Sequence, residues 1–251
     1  MPGPLDAPPD SDADAVSGAR EPPLWAIVLA AGEGTRLGVR KQFDPIAGHR
    51  PVDLAVDAVR SAGARVVLVL PSDHVWDGVT VEAVVSGGAS RGESVQAGLD
   101  AIPDDDAVVV VHQAANPLAT PALVRSLAAR VRSGDSAVVP GLQPADLVRR
   151  AQTGHLGEIV GRDDLVLVQT PAAFRLSVLR AAHACGTGAL EDTALVSALG
   201  VPVTVIDGDP LNVHLARPAD RALVAALLTT SLAASSSATA QRRAGHRGGP
   251  P

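Results

Sequence analysis

AIVLAAGEGTRLGVRKQF, residues 26–43, joins a short apolar run to a glycine-rich turn. The run, 26–31, has the length and composition of a buried strand. Three glycines follow it in close succession: Gly32, Gly34 and Gly38. Glycine lets neighbouring backbone N–H groups converge on one point, which suits an anion. Because Arg36 and Lys41 add two positive charges nearby, the stretch predicts a binding site for a polyphosphate.

Two familiar glycine motifs do not fit this turn. The dinucleotide fingerprint G-x-G-x-x-G needs its third glycine at the position that Leu37 occupies. The ATP-binding P-loop needs a lysine directly after a glycine, and Lys41 does not follow one. An ordinary strand–turn–helix corner is the remaining alternative. Arg36 and Lys41 argue against it, because two neighbouring cations repel each other unless an anion lies between them.

Composition limits the classes of function. The chain has 251 residues, which allows one large domain or two small ones. Aromatic residues make up only 2% of it, so the core must consist of Ala, Val and Leu. The net charge of -6 argues against a general nucleic-acid-binding surface. The single cysteine, Cys185, excludes an internal disulfide and a cysteine zinc cluster.

Both ends of the chain have the composition of disordered tails. Residues 1–23 are acidic and rich in proline, and residues 232–251 are basic and rich in serine and glycine. The folded domain is therefore predicted at 24–231. No apolar run reaches the roughly 18–20 residues of a membrane span. The N-terminus lacks the pattern of a secretory signal, which favours a cytoplasmic protein.

Strand-like and helix-like segments alternate between the tails. Strands are predicted at 26–31, 65–70, 79–85, 107–112, 137–140 and 201–206. Helices are predicted at 51–62, 93–101, 121–132 (with Thr120 as its cap), 176–184, 191–199 and 218–228. This order indicates an α/β, Rossmann-like fold with helices on both faces of a mainly parallel open sheet. Residues 141–170 break the alternation, and with short strands near Leu147 and Val166 they are predicted to form a protruding β-arm.

Ligands of open α/β sheets bind outside the carboxyl ends of the strands. A second turn of small residues, GGASRGES at 87–94, follows the third predicted strand. Its backbone N–H groups and the Ser94 hydroxyl can hydrogen-bond a nucleobase or a sugar edge. The alternative is a plain helix start with Ser90 as its cap.

Seven segments recur in an order that resembles a known family. In chain order they are AAGEGTRLG, KQF, GGASRGESVQAGL, HQAANP, QTPAAF, ED and GDPLNVH. Over about residues 25–230 the chain resembles the 2-C-methyl-D-erythritol 4-phosphate cytidylyltransferases. The resemblance implies a nucleotide-diphospho-sugar transferase-like fold and a reaction in which the acceptor phosphate attacks the α-phosphorus of CTP and pyrophosphate leaves. It also implies a magnesium ion, or another divalent cation, as cofactor.

The resemblance assigns roles to individual residues. Charge on the reacting phosphates is stabilised by Arg36 and Lys41. The nucleotide is bound by Ala30, Ala31, Gly32 and Gly34, with Gly87, Arg91 and Ser94 at its cytidine end. The incoming phosphate is positioned by Arg162 of the arm and by His214, which stands at a family lysine. Because the family's arm reaches into a neighbouring subunit, the resemblance implies a homodimer. A solvated turn residue is the alternative for Arg162.

Several positions depart from the family pattern. Gln113 stands where the family has the aspartate expected to help hold magnesium. Asn116 replaces an arginine, and an amide cannot act as a charged bidentate phosphate clamp. Asp209 and Asp192 are the candidates for a replacement metal carboxylate. On the arm, the family's Asp-Thr-Ile-Lys has become Asp-Leu-Val-Arg at 146–149.

Two hypotheses follow. The first is a cytidylyltransferase that uses 2-C-methyl-D-erythritol 4-phosphate or a related polyol phosphate as acceptor. The second is a nucleotide-binding paralogue that has lost transfer activity and acts in regulation or assembly. Retention of Arg36 and Lys41 favours the first, because they are the most direct stabilisers of the developing charge.

Overall fold

The structure is a computed structural model that describes residues 21–32, 40–186, 188 and 191–230. Gly34, Arg36 and Gly38 lie outside these residues, as do residues 1–20 of the first predicted tail, the whole second predicted tail (232–251) and residue 231. Residues 21–23 contact the domain: the Pro23 carbonyl, for example, accepts a 3.0 Å hydrogen bond from the backbone of Val108.

The described residues form ten strands and six helices. The strands are β1 (Leu24–Leu29), β2 (Arg65–Leu70), β3 (Ala83–Ser86), β4 (Val108–Gln113), β5 (Ala137–Leu142), β6 (Val148–Gln152), β7 (His155–Val160), β8 (Leu167–Val168), β9 (Ala172–Arg175) and β10 (Thr204–Asp207). The helices are α1 (Pro51–Ser61), α2 (Arg91–Asp100), α3 (Pro121–Arg132), α4 (Leu176–Ala184), α5 (Asp192–Ala198) and α6 (218–230).

The strands of the main sheet follow the order β10-β5-β9-β4-β1-β2-β3, with β8 added to β5. β1 pairs in parallel with β2 and with β4, and β10 pairs in parallel with β5. The sequence prediction of a mainly parallel sheet is confirmed. β9 was missed: it runs antiparallel between β4 and β5. It comprises only four residues, AAFR, too few for a clear periodic pattern.

Side chains of β1 point alternately into two hydrophobic layers. Ala26 and Val28 pack in the layer formed with α1 and α3. Trp25 and Ile27 pack in the opposite layer, formed with α2, α4 and α5. Helices therefore cover both faces, as predicted. Gly98 lets α2 approach β1 closely, because a Cβ atom there would lie 2.5 Å from a methyl group of Ile27.

Local signals set where the helices begin. The Thr120 hydroxyl accepts a 3.2 Å hydrogen bond from the backbone N–H of Leu123, which confirms the predicted cap of α3. The Ser90 hydroxyl caps α2 in the same way, at 3.1 Å from the backbone nitrogen of Glu93. Such caps satisfy N–H groups that have no partner inside the helix. None of the described helices is both long and apolar enough to cross a membrane.

The predicted arm is a hairpin of β6 and β7, which form a separate two-stranded sheet. The sequence analysis expected strands near Leu147 and Val166, and these correspond to β6 and β8, whereas β7 was missed. The arm exposes large apolar side chains: Leu147 is 64% exposed, Leu156 72% and Ile159 63%. The apolar side chains of the arm are therefore not covered by other described residues of this chain.

Candidate active site

A cleft of about 790 Å³ opens at the carboxyl ends of β1, β2 and β4, beside the start of α2. The cleft brings together these site residues predicted from the sequence: Ala30, Ala31, Gly32, Lys41, Gly87, Arg91, Ser94 and His214. Gln113 lines it as well. Gly34 and Arg36 lie outside the described residues. The cleft thus joins two turns that are more than fifty residues apart in the chain.

The side chain of Gln42 holds the first turn in place. Its amide nitrogen donates hydrogen bonds to the carbonyl oxygens of Ala30, at 2.8 Å, and Gly32, at 2.6 Å. Gln42 is only 5% exposed, so water competes little for these bonds. The sequence analysis quoted the KQF segment but assigned no role to its glutamine. The turn is therefore held by a side chain that follows it in the chain.

Lys41 connects the first turn with the segment that follows β10. Its ammonium group donates a hydrogen bond to the carbonyl oxygen of Leu215, next to His214. The backbone of Leu215 is in turn bonded to the carbonyl of Ala115, at 2.8 Å. Lys41 and His214 both line the cleft. Lys41 thus brings its ammonium group to the cleft wall between the first turn and the segment that follows β10.

Most of the polar groups described for the second turn, residues 87–94, form hydrogen bonds to other groups of the same turn. The backbone N–H of Gly88 donates to the Ser94 hydroxyl at 3.2 Å, and that hydroxyl donates to the carbonyl of Ser90 at 2.9 Å. The backbone N–H of Ala89 donates to the Glu93 carboxylate at 2.8 Å. The sequence analysis expected these groups to bond a nucleobase or sugar. The structure instead uses them to form the turn, so any role of Ser94 toward the nucleotide stays a prediction.

Gly87 allows the two turns to approach each other. A Cβ atom at this position would overlap the Cβ of Ala31 and would lie 2.9 Å from the Ser94 hydroxyl. The Cβ of Ala31 is fixed by its own backbone, and the Ser94 hydroxyl is bonded to Gly88 and Ser90. A side chain at position 87 would therefore push the walls of the cleft apart.

Arg91 occupies the first position of α2 and forms a partly buried ion pair. Its Nη2 lies 2.6 Å from Oδ2 of Asp192, whose side chain is 2% exposed. The other carboxylate oxygen, Oδ1, lies 2.9 Å from Nε2 of His183. Burial opposes ionisation of Asp192, but the hydrogen bonds from His183 and Arg91 outweigh it and hold the pKa of this carboxyl below its ordinary value. Sequence analysis missed His183, which belongs to none of the quoted motifs.

At the other end of the cleft, the segments HQAANP, QTPAAF and GDPLNVH meet in one polar network. Nδ1 of His214 lies 2.7 Å from Oδ1 of Asn116. The amide nitrogen of Asn116 faces Asn212 at 3.4 Å, and Asn212 donates to the carbonyl of Thr170 at 2.7 Å. Because Asn116 directs its amide nitrogen at Asn212, its oxygen accepts from His214. Nδ1 of His214 therefore carries a proton.

The described residues fit a protein-held magnesium site poorly. No three His, Cys, Asp or Glu side chains among them lie close enough to form a metal site. Asp209, a candidate ligand, is not part of the cleft wall, and its carboxylate accepts a 2.8 Å hydrogen bond from a backbone N–H two residues on. Asp192, the other candidate, is bonded to Arg91 and His183. Gln113 offers an amide oxygen, a weaker magnesium ligand than a carboxylate.

Arg162 lies apart from this chain's cleft. It follows β7 and donates a 2.6 Å hydrogen bond to the carbonyl oxygen of Ala145, at the base of the arm. It is exposed and does not line the cleft. Arg162 could therefore contact the incoming phosphate, as predicted, only in the cleft of another chain.

His112 is buried directly beside the cleft residue Gln113. Its side chain is fully buried, and neither ring nitrogen has a hydrogen-bond partner among the described residues. Burial lowers the pKa of His112 to about 4, because an apolar surrounding disfavours the charged ring. At neutral pH the His112 ring is therefore uncharged, and it does not serve as a phosphate ligand.

The chain is similar to known proteins over most of its length. The family model "2-C-methyl-D-erythritol 4-phosphate cytidylyltransferase" matches residues 24–230. Proteins of that name from Nocardia farcinica and Frankia casuarinae are 40% and 41% identical; the matches cover 81% and 82% of this chain, and 93% and 82% of those proteins. The crystal structure of the enzyme from Thermus thermophilus superposes with a TM-score of 0.69 at 31% identity, over 82% of this chain and 98% of that one. The chain therefore belongs to the 2-C-methyl-D-erythritol 4-phosphate cytidylyltransferase family.

Proposed function

We propose that the protein transfers CMP from CTP to 2-C-methyl-D-erythritol 4-phosphate, or to a related polyol phosphate, and releases pyrophosphate. The observation that carries the proposal is the family match over 24–230, combined with a cleft that brings both glycine turns and Lys41 together. The alternative of an inactive paralogue gains no support from the relatives, which are named as enzymes.

In this reaction an oxygen of the acceptor phosphate forms a bond to the α-phosphorus of CTP. The bond from that phosphorus to the bridging oxygen breaks, and pyrophosphate leaves with the electron pair. Negative charge develops on the phosphoryl and leaving-group oxygens, so catalysis depends on positioning and on nearby cations. Lys41 is proposed to supply one such cation, and Arg36, outside the described residues, the second.

The orientation of the substrates is proposed from the places of the two glycine turns, Lys41 and His214 in the cleft. The triphosphate is proposed to lie along Ala30, Ala31 and Gly32, and the cytidine toward Gly87 and Arg91. The acceptor phosphate is proposed to approach from the side of His214. A divalent cation would enter with the triphosphate, because the described residues form no metal site of their own.

The protein is also proposed to act as a homodimer in the cytoplasm. The arm's exposed leucines and isoleucine supply an apolar surface that a second copy can cover. In that arrangement Arg162 would reach the acceptor site of the neighbouring subunit.

A transfer assay tests the proposal. The protein is incubated with magnesium, CTP labelled at the α-phosphorus and a panel of polyol phosphates. Labelled CDP-polyol and pyrophosphate should form in equal amounts with one acceptor. CTP that binds without any transfer would support the regulatory alternative. A protein that neither binds nor transfers CTP would overturn both. Light scattering of the same sample measures whether the mass is that of a dimer.

A further inference from the structure

We infer that His183 is a positioning residue for the nucleotide, and that it acts through Asp192 to hold the guanidinium of Arg91 at the wall of the cleft. The inference rests on the proposed function, since it concerns how the same cleft binds CTP. His183 lies in α4, outside the lining of the cleft, so its effect must be indirect.

The three side chains form one continuous chain of hydrogen bonds. Asp192 receives Arg91 on one carboxylate oxygen and His183 on the other, at 2.6 Å and 2.9 Å. The His183 side chain is fully buried and that of Asp192 nearly so, whereas 28% of the Arg91 side chain is exposed. The chain therefore runs from the interior of the α4–α5 pair to the surface of the cleft.

This arrangement fixes the carboxylate of Asp192. A carboxylate held on one side only can rotate about its terminal bond, because that torsion is broad. A carboxylate has no proton to give at neutral pH, so Nε2 of His183 must be the donor. Nδ1 of His183 and Nε of Arg91 are buried without partners among the described residues. Among the described residues, Asp192 is therefore the one that orients the guanidinium of Arg91.

The same contact determines what Arg91 can bind. The adjacent Asp192 carboxylate compensates the charge of the guanidinium, because burial strengthens the attraction between them. A compensated guanidinium still donates hydrogen bonds but attracts an anion less strongly. It therefore suits a neutral carbonyl of the pyrimidine better than a phosphate. Lys41, elsewhere in the cleft wall, remains suited to the phosphates.

The experiment compares His183→Leu, which removes the donor at similar volume, with His183→Gln, whose amide nitrogen can reach the same carboxylate oxygen. We expect His183→Leu to raise the KM and the Kd for CTP about fivefold, the typical net effect of one intramolecular hydrogen bond, because His183 acts on CTP only through Asp192 and Arg91. The kcat and the acceptor KM should change less than about twofold. His183→Gln should restore most of the CTP affinity.

Arg180→Leu is the matched control. Arg180 also lies in α4, but it bonds the carbonyls of Ile102 and Asp104 just beyond the far end of α2, at 2.7 Å and 3.0 Å. Its loss should lower the Tm and leave the KM for CTP unchanged. The inference is overturned if His183→Leu leaves CTP affinity unchanged, if His183→Gln is as impaired as His183→Leu, or if Arg180→Leu weakens CTP equally. Because the Kd for CTP is measured without acceptor, a protein that binds CTP but transfers nothing still tests the inference while it contradicts the proposed function.

Discussion

Oδ1 of Asn116 lies 2.7 Å from Nδ1 of His214. The family pattern that the chain resembles has an arginine and a lysine at these two positions, and the two positions contact each other in this structure. An arginine and a lysine at this distance repel unless an anion lies between them. In this chain the asparagine oxygen instead accepts a hydrogen bond from the histidine. A side-chain hydrogen bond thus occupies the place where the family pattern has two cations.

His214→Lys should strengthen binding of the acceptor. A lysine at this position carries a full positive charge at pH 8 and attracts the acceptor phosphate. We expect the acceptor KM to fall about threefold or more at low salt, with a smaller gain at high salt, because salt screens the added charge. His214→Gln, which stays neutral, is the control and should show no gain. Equal acceptor KM values for wild type and His214→Lys at pH 8 would contradict this account.

Lys41→Ala should slow pyrophosphate release at least about a hundredfold, the typical effect of removing one preorganised electrostatic contact. Lys41 also bonds the Leu215 carbonyl, so the Tm of the variant must be measured in parallel. Lys41→Arg keeps the charge and should retain more activity than Lys41→Ala. An unchanged rate in a stably folded Lys41→Ala protein would remove this residue from the mechanism.

Gln113→Asp should raise activity and strengthen its dependence on magnesium. The change places a carboxylate, the ligand that magnesium prefers, at the end of β4 in the cleft wall. The measurement is a titration of the initial rate against magnesium concentration. If the half-saturating concentration does not fall, the metal is held elsewhere.

Gln42→Glu should destabilise the first turn. It replaces an amide donor by a carboxylate that faces the carbonyl oxygens of Ala30 and Gly32 in a buried position. Because a buried polar group without its partner is costly, the free energy of unfolding should fall by about 2 kcal/mol or more. Gln152→Glu, at an exposed position of the arm, is the matched control and should lie within about 0.5 kcal/mol of wild type. Urea unfolding measures both.

The lowered pKa of His112 should make the free energy of unfolding depend on pH. Its pKa is lowered to about 4 in the folded protein, so between that value and about 6.5 the unfolded chain binds the proton more readily. The free energy of unfolding is therefore not reduced by His112 above about pH 6.5. It falls by on the order of 3 kcal/mol as the pH drops toward 4. His112→Leu should lack this loss, and its Tm should fall less than that of wild type between pH 6.5 and 4. Parallel curves for the two proteins would contradict the prediction.

Much of the fold could be predicted because its signals are local. The 65–70 strand and the 121–132 and 176–184 helices were predicted with the bounds that the structure shows, since hydrophobic period, caps and prolines report on neighbouring residues. β9 was missed because four residues inserted antiparallel between β4 and β5 have no periodic signature of their own.

The sequence by itself determined most of the strands and helices, though not β7 and β9, and it contained the glycine-rich segment and the family motifs. Tertiary structure alone decided which side chains meet. Arg91 and Asp192 are 101 residues apart in the chain, and Asn116 and His214 are 98 apart. A local pattern records whether a residue is buried but not which partner it finds, because the partner depends on how the sheet orders its strands. The role of Gln42 and the contact between His183 and Asp192 therefore emerged only once the strands and helices were packed.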